Sequence, residues 1–162
     1  MNVDGNVADC TFDGDEARPE AVSQTPQLDR DLSTDKKDYF SVEAGVRFAG
    51  KHLLIDLKGG QGFDDTAFIE ETLRKCVAAT GATLLHIHLH HFTPYGGVSG
   101  VAVLAESHIS VHTWPEEEFA ALDVFMCGDT QPEKAIDVLR DAFQPQCIDV
   151  KTVKRGRVDE QV

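Results

Sequence analysis

VAVLAESHISVHTW, residues 101–114, decides how the rest of this chain is read. Valine, isoleucine and alanine give it the look of a buried strand. The same run holds Glu106, Ser107, His108 and His112, the groups a reactive site uses. Polar side chains in so apolar a setting cost free energy unless each finds a partner, so their presence asks for a chemical reason.

Outward from this stretch, strand patterns recur on both sides. ATLLHIHLHHF (82–92) alternates, with Leu85, Ile87 and Leu89 reading as the core face and His86, His88 and His90 as the other. TPYGGVSG (93–100) reads as a glycine-rich turn between the two runs, and PEEE (115–118) as a turn into a further strand, FAALDVFMCG (119–128). VRFAGKHLLIDLKGG (46–60) reads as a strand ending at a Gly-Gly turn. CIDVKTV (147–153) is the last strand, before a polar tail, KRGRVDEQV.

Two segments have helical period. In DDTAFIEETLRKCVAATG (64–81), Asp64 or Asp65 can cap the start, and Phe68, Ile69, Leu73, Cys76 and Val77 share a face. Glu70/Arg74 and Glu71/Lys75 pair at i,i+4, and Gly81 can end the helix. Pro132 opens the second helix, with Ile136, Leu139 and Phe143 on one side. Short turns between neighbouring strands and two helices available for one face predict an α+β two-layer sandwich, mainly antiparallel.

The 162 residues suit one domain. Residues 1–38 are polar and acidic, without sustained apolar period, and read as a disordered tail before an ordered domain spanning 39–162. A net charge of -13, from 28 acidic and 15 basic residues, argues against nucleic acid and anionic membrane surfaces as partners. No apolar run reaches membrane-spanning length, and the start lacks an export pattern, so a cytoplasmic protein is expected. Cys10, Cys76, Cys127 and Cys147 are scattered without metal-ligand spacing and read as reduced thiols.

Three local patterns invite chemistry and fall short alone. His86, His88 and His90 could converge on a metal from one face of a strand, but no carboxylate or second histidine pair completes a site, so no metal is expected. GGVSG lacks both the lysine of a phosphate loop and the order of a nucleophile elbow. Cys127, at a strand end before Gly128, reads by itself as a small buried hydrophobe.

Taken in order, HHFTPYGGVSG, VAVLAESHISVHTWPE and FAALDVFMCG (91–128) closely resemble the short prokaryotic, pyruvoyl-dependent S-adenosylmethionine decarboxylases. A weaker similarity runs from about Phe48 to the RGR near the end, leaving the acidic tail outside. The resemblance implies a proenzyme that cuts itself between Glu106 and Ser107. Ser107 Oγ would attack the Glu106 carbonyl, and elimination and hydrolysis would turn residue 107 into a pyruvoyl group, the site of Schiff-base formation with substrate. It implies His112 as the base that removes the Ser107 α-proton, Ser99 as a second processing residue, and Cys127 as the proton donor in decarboxylation. Phe92 and Glu116 stand where the family binds adenine and ribose. Trp114 could wall the same pocket or be a buried packing residue. A homodimer with active sites near its interface is implied too.

Residues 107 and 112 differ by an odd number, so in a flat strand they face opposite ways, and a bulge, bend or end-of-strand distortion is required. The chain also departs from the family: PYGGVSG has a glycine more than PYGVSG, which leaves the match of Phe92 open, and PEEEFAA has Glu117 and Glu118 where PEYGYAA has Tyr-Gly. Relatives with the same machinery decarboxylate arginine or ornithine, so these are rival substrates. A binding protein that keeps the fold without cleavage is the rival of a different class.

Overall fold

The computed structural model describes residues 39–158. The acidic tail and the last four residues lie outside them. Among the described residues the elements run β1 (Ser41–Glu43), β2 (Val46–Lys58), α1 (Thr66–Thr80), β3 (Leu84–His91), β4 (Val98–Leu104), β5 (Ser107–Trp114), a 3-10 turn (Pro115–Glu117), β6 (Phe119–Met126), α2 (Lys134–Phe143) and β7 (Cys147–Val158). All seven strands form one antiparallel sheet, in the order β1-β2-β6-β5-β4-β3 with β7 also paired to β2.

The expected α+β two-layer architecture follows from side-chain alternation. Leu53, Ile55 and Leu57 of β2, Ile109 and Val111 of β5, and Ala120, Leu122 and Val124 of β6 are fully or almost fully buried and meet Ile69, Leu73 and Cys76 of α1 and Leu139 and Phe143 of α2. Both helices therefore cover one face, and among the described residues the other face carries no helix. Asp65 caps α1 by accepting the Phe68 N–H at 3.0 Å, and Gly81 ends it at φ 74°, a conformation that costs glycine little. Glu70–Arg74 and Glu71–Lys75 both pair. α2 starts at Lys134, later than Pro132, whose carbonyl accepts the Ala135 N–H.

Four further features differ from expectation, each for a local reason. The 101–114 run is a hairpin: Leu104 pairs with Ser107, leaving Ala105 and Glu106 as its two-residue turn. Val98, Ser99 and Gly100 belong to β4, because the turn closes earlier, at Phe92–Gly97, with the Phe92 N–H donating to Gly97 O at 2.7 Å. A register shift between Leu84 and His86 makes Leu85 an extra residue; it is 63% exposed and Leu84 takes the core position. KRGRV continues β7, pairing Arg155 and Arg157 with Gly50 and Phe48 of β2; a charged outer strand is a common guard against edge pairing.

Candidate active site

The residues singled out by sequence gather in two clusters at opposite ends of β5. At its start, the favoured two-residue hairpin turns need positive φ at their central positions, which suits glycine or asparagine. Ala105 and Glu106 are neither, and the positive φ falls instead on Ser107, at 145°. For a non-glycine residue this costs about 1–3 kcal/mol. It also breaks the strand's alternation: Ser107 Oγ lies 3.2 Å from Nδ1 of its neighbour His108. The required distortion is thus an end-of-strand twist, since the pairing of β5 with β4 and β6 runs without a bulge.

The turn is tightly tethered. The Glu106 carboxylate accepts the Thr83 N–H at 2.8 Å and the Thr83 hydroxyl at 3.2 Å, and the Ala105 N–H donates to Thr83 O. The Glu106 carbonyl accepts twice from Cys127, from its backbone N–H at 3.1 Å and from its thiol at 3.0 Å. Burial pushes the Cys127 thiol above its ordinary range; a backbone hydrogen bond opposes this and the Glu106 carboxylate adds to it. Glu106, Ser107 and Cys127, with Tyr39, Phe40 and Phe125, line an open cavity of about 400 Å³.

At the far end of β5, His112 Nδ1 and Ser99 Oγ are 2.8 Å apart on paired strands. Ser99, Phe92, Trp114 and Glu116 line a second cavity of about 320 Å³, together with Tyr95 and Thr113. Trp114 is 42% exposed and tilts against Phe119 at 5.4 Å, so it walls this cavity and is not a buried packing residue. The glycine pair clarifies Phe92: Gly96 takes φ 79°, and a Cβ on Gly97 would come within 2.8 Å of Thr113 O, so turning and close approach occupy separate residues and Phe92 stays at the cavity wall.

Thr113 is singled out by no motif of the sequence, yet it holds this cavity together. Its hydroxyl takes the Val98 N–H at 2.7 Å and donates to Phe63 O at 2.6 Å, which fixes the cavity floor. A polar residue at a core-facing position of β5 was the available clue. The two clusters do not meet within one chain. Five residues separate 107 from 112, about 16 Å at a strand's rise.

His86, His88 and His90 alternate along β3 as expected, and among the described residues no group of three or more histidine, cysteine, aspartate or glutamate side chains is placed to hold a metal ion. No helix among them is long and apolar enough to cross a membrane.

The S-adenosylmethionine decarboxylase family model matches residues 51–156. A Thermomicrobium roseum protein named S-adenosylmethionine decarboxylase proenzyme is 50% identical over 114 residues, covering 70% of this chain and 98% of its own. A Methanococcus aeolicus protein of the same name is 46% identical over 118 residues, 71% of this chain and 100% of its own. The crystal structure of the adenosylmethionine decarboxylase from Aquifex aeolicus superposes with a TM-score of 0.62 at 36% identity, covering 71% of this chain and 97% of that one.

Proposed function

The chain belongs to the S-adenosylmethionine decarboxylase family, and from that premise we propose that it is a self-cleaving proenzyme whose mature form releases carbon dioxide from S-adenosylmethionine. The observation that carries this reading is the state of the Glu106–Ser107 bond. Its serine holds a strained φ of 145°, and its carbonyl accepts two hydrogen bonds from Cys127.

Cleavage between Glu106 and Ser107 leaves residue 107 as the pyruvoyl end of the C-terminal segment. These residues suit that group: a hydroxyl sits one bond-forming step from its own preceding carbonyl, and two donors already point at the oxygen on which charge would develop. The pyruvoyl ketone supplies the electron sink that binds the substrate amine and takes the electrons left by departing carbon dioxide. Cys127 then holds the proton for the substrate Cα, and its raised range keeps it a thiol near neutral pH. Phe92 and Trp114 offer ring faces to the adenine and the sulfonium, and Glu116 offers acceptors to the ribose hydroxyls.

His112, with Ser99 beside it, removes the Ser107 α-proton in this reading, yet the two lie at opposite ends of β5. The reading therefore includes a homodimer in which His112 and Ser99 of one protomer serve Ser107 and Cys127 of the other. A two-fold axis through β5 near residues 109 and 110 would set each 107 against the partner's 112. The helix-free face supports such packing, with Leu54, Val103 and Trp114 all 38–42% exposed on it.

The product serves aminopropyl transfer in polyamine (spermidine) synthesis, and we place the enzyme in the cytoplasm, working without nucleic acid or membrane. Residues 39–162 form the decarboxylase domain and 1–38 an acidic extension in this reading. Intact masses of denatured protein, beside Ser107→Ala, test it. Two fragments meeting at 106/107 and carbon dioxide released from S-adenosylmethionine, not from arginine or ornithine, are expected. One uncut chain from folded protein refutes it.

A further inference from the structure

We propose that His108 is the general base that takes the Ser107 hydroxyl proton when the chain cuts itself, an inference that rests on the self-cleavage reading above. Self-cleavage moves two different protons. Within its own chain His112 stands at the far end of β5, held by Ser99, and the shared site brings it to the other protomer's Ser107 for the second, the α-proton lost after the ester has formed; the first sits on the Ser107 hydroxyl. The nitrogen beside that hydroxyl is His108 Nδ1, 3.2 Å from Ser107 Oγ, within reach for proton transfer. An imidazole carrying its proton on Nε2 presents Nδ1 as the acceptor.

The ring is walled rather than loose. It meets the Phe125 ring at 5.9 Å and the His52 ring edge-on at 6.4 Å. His52 is itself anchored: Arg155 Nη1 lies 3.1 Å from its Nδ1 and Asp123 Oδ1 lies 3.2 Å from its Nε2. A guanidinium only donates, so Nδ1 of His52 accepts and Nε2 donates to Asp123. Asp123 also takes the Ser110 hydroxyl at 2.8 Å, closing a network under the His108 ring on the helix-free face.

The step balances. The Ser107 O–H bond breaks, its proton passes to His108 Nδ1, and Oγ bonds to the Glu106 carbonyl carbon. The carbonyl π pair moves onto the Glu106 oxygen, where the Cys127 N–H and S–H already donate. Collapse breaks the bond from that carbon to the Ser107 nitrogen, which takes the proton back from His108 and leaves an ester and a free amine. His108 is regenerated, and no oxidant or other reactant is needed.

The test follows cleavage itself, by intact mass at timed intervals after cell-free synthesis, in wild type, Ser107→Ala, His108→Ala and His108→Gln. Cleavage slowed on the order of 10²-fold or more in both His108 variants is expected, with part of the rate of His108→Ala restored by added imidazole. Glutamine keeps much of the bulk, so His108→Gln with an unchanged unfolding temperature separates lost proton transfer from lost packing. Wild-type cleavage rates in a folded His108 variant overturn the proposal, as does slow cleavage that imidazole leaves unmoved. An uncut wild-type control defeats the self-cleavage reading first, and this step falls with it.

Discussion

Two dead chains should make one live enzyme. Ser107→Ala removes the cleavage nucleophile and His112→Ala removes the base for its α-proton, so neither variant alone should mature. Along β5 the two positions stand about 16 Å apart, five residues at roughly 3.3 Å each. Proton transfer needs about 3 Å. No rotamer spans that gap, and the unbroken pairing of β5 with β4 and β6 leaves no bulge to shorten it. Facing sheets lie about 10 Å apart with their side chains interleaved, so the proposed two-fold partner would supply the missing contact.

Coexpression with two tags and isolation through both gives mixed dimers. In each, Ser107 of the His112→Ala chain meets the intact His112 of the other, and the second site has neither group. Every dimer isolated through both tags is mixed and has one good site in two, so its activity should return to about half of wild type. The assay reads intact masses for cleavage and carbon dioxide release for turnover. Mixed dimers as inert as their parents, or a His112→Ala chain that cleaves at the wild-type rate alone, would refute the shared site.

Other expectations follow from single residues. Cys127→Ala should slow turnover on the order of 10²-fold or more. In wild type the alkaline fall of kcat should lie above the ordinary thiol pKa of about 8.5, because only the protonated form donates and burial raises it; a fall at lower pH contradicts the assignment. Burial pushes the Cys76 thiol up to about 12 from 9.0, so above pH 9 the unfolded chain releases a proton that the folded chain keeps, and stability drops as pH rises. That amounts to about 1.4 kcal/mol by pH 10, and Cys76→Val should flatten this part of the profile in denaturant titrations. Glu118 holds φ 46° where the family pattern has glycine; Glu118→Gly should stabilise by about 0.5–1 kcal/mol, read as a higher unfolding temperature.

Much of this was legible because local and global requirements agree. Period, caps and ion pairs all mark α1, and the buried side chains of β2, β5 and β6 alternate as a one-sided sheet demands. The misses came where one residue interrupts a period. Leu85 looks like core by alternation, and only the pairing partner reveals the bulge that exposes it. Ala105 and Glu106 have no turn chemistry, so the hairpin was hidden inside what reads as one strand. The constraint that makes the turn is supplied from elsewhere, by Thr83 and Cys127. Separation of the two clusters was hidden for a similar reason: spacing along a strand gives parity and distance, but not the copy of the chain to which a partner belongs.

Cys127 shows why one residue can serve both halves of the proposed life of this protein. Before cleavage its thiol donates to the Glu106 carbonyl, and afterwards it is to deliver a proton to the substrate Cα. Both tasks require S–H and fail with the thiolate. Nucleophilic cysteines are arranged the other way, with cations or helix termini that lower the thiol. Here burial acts first and the Glu106 carboxylate reinforces it, both favouring the proton. The acid at the turn is thus more than a tether for Thr83. It disfavours a thiolate at the position where the proposed cleavage would develop charge on the neighbouring carbonyl, and so keeps the donor in the form that can stabilise that charge.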